Sequence, residues 1–161
     1  MVVEMDRRSF DSLSDAELML ACTEPAMMEL RGREPANKSM LISRLNEDQQ
    51  ALCMFRVLYP AASSAADYEG WIAYLLEQPG YWNGVIGGLG YWGETAMIGV
   101  LEETRKVLEE KAGTIILGTG ANTPDRLARL FEEFGRLVPD CLSRIGSHIR
   151  SRPGQFVTLI N

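Results

Sequence analysis

Few residues in this chain are able to do chemistry. His148 is the only histidine, so the paired-histidine zinc site of a metalloprotease helix is excluded. It lies in an Arg-rich C-terminal segment with no evident nucleophile, so no hydrolytic triad can be assembled and a surface or helix-end position is expected. Cys22, Cys53 and Cys141 are too far apart for a CxxC redox or zinc pair. Three is an odd number, which speaks against a secreted disulfide framework and for buried thiols in a reducing cytoplasm. Aromatic residues are concentrated in the middle of the chain: Tyr68, Trp71, Tyr74, Tyr81, Trp82, Tyr91 and Trp92 include all three tryptophans. Such rings build cores, partner surfaces or the walls of ligand clefts. Asp67, Glu69 and Glu94 are the nearby carboxylates. A pair of them would serve as acid and base, although carboxylates near helix starts usually answer the helix dipole.

Two glycine-rich stretches invite functional readings. GTGAN (118–122) lacks the Gly-Lys-Ser/Thr ending of a phosphate loop and the third glycine of a dinucleotide fingerprint. A loop between helices is the expectation there. In GVIGGLGYWG (84–93), Gly84, Gly87 and Gly88 share one helical face. Each costs about 1 kcal/mol relative to alanine in a helix, so close helix packing is expected, with a ligand lying on bare backbone as the second reading.

The elements that must position these residues are helical. Ser12 or Ser14 caps a helix near 13–22, with Asp15 and Glu17 at its positive end. Pro25 opens a short second helix ending at Gly32. RGREPANK (31–38) reads as a mobile linker between N-terminal helices and the main body. Asn46 and Gln49 form a capping-box pattern before an amphipathic helix at 47–59, stopped by Pro60. Ser63 or Ser64 caps a helix at about 65–77. The periodicity of Met97, Ile98, Leu101, Val107 and Leu108 predicts a helix over 94–111, ended by Gly113. Thr114–Leu117 is strand-like without an obvious partner. Thr123 and Pro124 start a helix through about 136, Pro139 starts another through about 151, and GQFVTLI is a short strand or an apolar hook. The fold class is therefore all-α: one compact domain over 1–161 with seven to nine helices and at most a minor extended segment.

Composition narrows the function further. The chain has 161 residues, 46% hydrophobic and 24% charged, with a net charge of −6. That is an ordinary globular mix. The acidic balance argues against direct nucleic-acid binding. The arginines at 126, 129, 136, 144, 150 and 152 are interleaved with acids and read as a mixed solvated face. The N-terminus lacks the basic head and apolar run of a signal peptide, and no apolar stretch approaches the ~20 residues of a membrane span.

Residues 45–156 resemble the small helical domains grouped with a bacterial DNA-mimic protein. Glu69-Gly70-Trp71 matches the family's Glu–Gly–aromatic element, and Phe131 to Phe134, Ile149, Arg152-Pro153 and Phe156 match its closing segment. The polar groups around the family's aromatic are replaced here by Ala73-Tyr74. The resemblance implies an all-α fold and an acidic face offered to a DNA-binding protein.

Three functions follow as expectations. The first is a non-catalytic cytoplasmic interaction module that binds a protein partner or itself, without catalytic residues, cofactor or metal. The second is a small-molecule binder or enzyme with an aromatic cleft, to which Glu69, Trp71, Tyr74, Tyr81, Trp82, Tyr91, Trp92 and Glu94 would contribute. The third is a DNA mimic, whose negative face would draw on Asp67, Glu69, Glu77, Glu102, Glu103, Glu109 and Glu110.

Overall fold

The structure, a computed structural model, describes residues 3–117 and 122–161, with the side chains of 3–113 and 122–161. Among these are eight α-helices and one pair of short strands, so the fold is all-α. Strand β1 (Val3–Asp6) leads into α1 (Arg7–Ser12) and α2 (Asp15–Leu30). There follow α3 (Pro35–Ser43), α4 (Glu47–Leu58), α5 (Ala65–Glu77), α6 (Tyr81–Trp92), α7 (Thr95–Leu117) and α8 (Thr123–Ser151), then strand β2 (Val157–Ile160). β1 and β2 pair in parallel, Val3 opposite Val157.

Caps define the starts. Ser14 accepts from the Glu17 N–H while Glu17 reaches back to the Ser14 N–H, and Asn46 and Gln49 form the same reciprocal box at α4. Ser64 caps α5 by accepting from Asp67. α4 is buried on most sides, with Ala51, Leu52, Cys53, Met54, Phe55, Val57 and Leu58 all inside. From Ala51 onward the helix is buried on nearly every side but that of Arg56, which puts its last two turns at the centre of the bundle. The long amphipathic α8 lays Phe134, Val138, Cys141, Ile145 and Ile149 along the same core.

Several local expectations are corrected. Pro25 does not open a helix but lies inside α2, and Pro139 lies inside α8. Each proline removes one backbone bond. Burial on both sides, of Met19 and Leu30 in α2 and of Val138 and Cys141 in α8, outweighs that loss. Residues 114–117 continue α7 to Leu117 and are not a strand. The helical backbone there satisfies groups that an unpartnered strand would leave open. Gly113 is therefore interior to α7. Asn122 rather than Thr123 occupies the cap position of α8, and the rest of GTGAN lies outside the described residues. In the 31–38 stretch, Gly32 turns with φ of 73° and Pro35 already begins α3.

Candidate functional site

The glycines of α6 decide the local architecture. Gly80 and Gly93 bracket the helix in the left-handed conformation, with φ of 81° and 74°. At the far end the Gly93 N–H bonds to Gly90 O and the Glu94 N–H to Leu89 O, a Schellman closure. Between them, Gly84 and Gly88 face α4. A Cβ at Gly88 would lie 3.0 Å from the Met54 Cβ and 3.3 Å from the Ala51 carbonyl, and one at Gly84 would lie 2.6 Å from the Met54 sulfur. Backbone thus approaches backbone along this seam. A Cβ at Gly87 would meet nothing within 4 Å.

Gly87 is open because it borders a cleft of about 490 Å³ between α3, α4 and α6. Its lining includes Ala51, Met54, Gly84, Gly87 and Gly88, with Lys38 and Ile42 contributed by α3. Tyr81 and Tyr91 line it from opposite ends of α6, ten residues and therefore about 15 Å apart along the helix. α3 has no fully buried residue; Ile42 is partly buried against the core. Lys38 Nζ lies 3.1 Å from the Tyr81 hydroxyl and 5.6 Å from that ring's centre.

The other aromatics divide among several tasks. Tyr68 is fully buried between Phe131 and Phe134, and its hydroxyl lies 2.6 Å from Thr104 Oγ1. Thr104 spends its own proton on Val100 O, so Tyr68 donates. Burial pushes that phenol up to about 12. Trp71 donates to Val57 O at 2.7 Å and stacks on Tyr74, whose ring lies 6.5 Å from Tyr81. Trp82 is a core residue beneath Arg105. Trp92 meets Tyr91 and His148 edge-on, and its buried Nε1 has no hydrogen-bond partner among the described residues. Glu69 is engaged by Lys111 on the outer surface. Of the eight sequence-derived site residues, the cleft gathers Tyr81 and Tyr91, while Glu69, Trp71, Tyr74, Trp82, Trp92 and Glu94 lie outside its lining.

Glu94 precedes α7 but turns across to α8. It is 4% exposed and receives two bonds of 2.7 Å from Arg144, with the Cys141 thiol at 3.1 Å. Bonding from Arg144 holds its carboxyl below the ordinary value. Burial, followed by the neighbouring carboxylate, pushes Cys141 up to about 12.

The sequence offered no sign of Asp48 as a focal residue. It sits in the first turn of α4, where a carboxylate already has a dipole explanation, and its partners are distant in the chain. Asp48 is 3% exposed and accepts from the Tyr91 hydroxyl; His148 Nε2 lies at 3.2 Å and Arg152 at 3.5 Å. His148 does occupy the last turn of α8, with its ring between Trp92 and Phe156. This clasp ties α4, α6 and α8 together beside the Tyr91 end of the cleft. The hydrogen bond to Asp48 raises the Tyr91 pKa, which suits that phenol to donate rather than to act as a base.

Five of the seven carboxylates proposed for a negative face carry cationic partners: Glu69 with Lys111, Glu102 and Glu109 with Arg105, Glu103 with Lys106, and Glu110 with Arg126. Among the described residues no group of three His, Cys, Asp or Glu is placed to hold a metal, and no helix is long and apolar enough to cross a membrane. Compared with known protein families, curated proteins and solved structures, the chain has no match.

Proposed function

We propose that this chain is a non-catalytic binding protein for a small amphipathic molecule, held in the cleft between α3, α4 and α6. The observation that carries the reading is the cleft of about 490 Å³ bounded by bare glycine backbone and Met54, with polar groups at its ends. Volume and chemistry fall within the range of small-ligand sites. A non-catalytic role is supported by the use of the titratable groups: Asp48 and Glu94 are both consumed in interhelical bonds. The three unpaired cysteines support a reducing, cytoplasmic setting.

The test is a cavity-filling substitution. Gly87→Leu adds a side chain where space is free. Calorimetry with decanol should show saturable binding to the wild type and at least a tenfold loss in the variant, with the thermal midpoint retained. Equal binding by both proteins, or no binding by either, contradicts the reading.

A second reading has its own observation. Met28 and Met40, on α2 and α3, are 62% and 53% exposed, and exposed methionines suit adaptable protein contacts. Such a surface would serve a protein partner or a second copy of this chain. Light scattering tests self-association: a concentration-dependent mass lost in a Met28→Lys, Met40→Lys variant supports it, and a constant monomer mass contradicts it. The DNA-mimic reading receives less support, because its carboxylates are largely engaged by arginine and lysine.

A further inference from the structure

Lys38 lines the cleft from the first part of α3, and local structure does not account for its charge. Its N–H makes the first helical bond, to Glu34 O at 3.0 Å, so the ammonium sits toward the positive end of that helix, where a cation is disfavoured. Among the described residues no carboxylate lies within ion-pair distance of it. Its partner is a neutral phenol, Tyr81, at 3.1 Å. The ammonium and the Tyr81 hydroxyl are therefore two adjacent donors at one end of an apolar trough. Glu47, the acidic residue in the lining, begins α4. It belongs with the Tyr91 end, since Tyr91 reaches Asp48 next to it.

We infer that the ligand is an amphipathic monocarboxylate, its carboxylate bridging Lys38 Nζ and the Tyr81 hydroxyl and its apolar body lying on Gly84, Gly87, Gly88 and Met54. The polarity of the trough sets the direction, because the head group meets a cation at the Tyr81 end and would meet Glu47 at the other. Two donors 3.1 Å apart match the two oxygens of one carboxylate. The inference rests on the ligand-binding reading and adds to it the chemistry of the head group.

Calorimetry on the full chain with decanoate, decanol and decylamine separates the two claims. Wild-type protein should bind decanoate roughly tenfold tighter than decanol, the scale of one charge-assisted hydrogen bond. Lys38→Met should abolish that preference, and Lys38→Arg should restore much of it. Tyr81→Phe should weaken decanoate by a smaller factor. Lys38 is surface-accessible, and a matching far-UV spectrum and thermal midpoint identify folded variants. If decanol and decanoate bind equally, or the preference survives Lys38→Met, the head-group inference is overturned and the binding reading stands. Tighter binding of decylamine overturns it in favour of Glu47. If no probe binds, the binding reading itself fails.

Discussion

At the scale of single residues, the molecule separates charges that hold helices from charges left unmatched. Glu94 is nearly sealed while Arg144 is 57% exposed. Removing Arg144 leaves a carboxylate in the interior with only a thiol beside it. Arg144→Ala should therefore cost about 2 kcal/mol, less than the ~3–5 of a wholly buried pair because water already screens the guanidinium. Urea denaturation of the variant measures it. The pH dependence has a definite sign. Glu94 titrates below its unfolded value of 4.5, so its stabilisation is complete above that value and disappears as pH falls through the folded one. Glu94→Gln should flatten this acid limb in a series of thermal midpoints. The cysteines behave in the opposite sense. Burial pushes Cys22 and Cys53 up to about 11 and Cys141 to about 12. At pH 8 all three are thiols in the folded state, so a thiol-specific chromogenic reagent should react slowly with native protein and with three groups after unfolding.

At the scale of helices, glycine has two opposite uses. Gly146 of α8 faces the start of α2, where an added Cβ would lie 2.7 Å from the Asp15 carboxylate carbon and displace the 2.5 Å bond from Arg150. Gly135, on the same helix, has nothing within 4 Å. Gly135→Ala should stabilise by about 0.5–1 kcal/mol through helix propensity, while Gly146→Ala should destabilise by about 1–3 kcal/mol through overpacking. Paired denaturation curves decide both. Caps and periodicity made α4 and α5 legible in the sequence, since Asn46, Gln49 and Ser64 act within one turn of their own helix. The same local logic misplaced Pro25 and Pro139, because what carries those helices is burial of residues on either side. Thr114–Leu117 looked extended by composition yet continues α7. β1 escaped notice because four residues make little pattern, and its partner lies near the other end of the chain. The glycine face of α6 could be read from spacing alone. Lys38 could not, since the charged, Pro- and Gly-containing stretch 31–38 has the composition of a linker. Asp48 with His148 could not either, because one hundred residues separate them.

At the scale of the whole molecule, the two strands draw distant segments together. Val157 is buried and Val3 is paired opposite it, while Asn46 Nδ2 donates to Gln155 O at 3.0 Å. Deleting residues 157–161 should lower stability by at least about 2 kcal/mol, the scale of one buried valine, with helix content by circular dichroism unchanged below the transition. The α4–α8 core and the Asp48 clasp make a firm frame on one side of the cleft, and the lightly anchored α3 forms the other. Amide-resolved NMR titration of labelled protein with decanoate reads out occupancy of the cleft residue by residue. Saturable shifts confined to α3, α4 and α6, with contacts from the alkyl chain to Met54 and the α-protons of Gly84 and Gly87, are the predicted result. Absence of saturable shifts, or contacts located on a different face, contradicts the account.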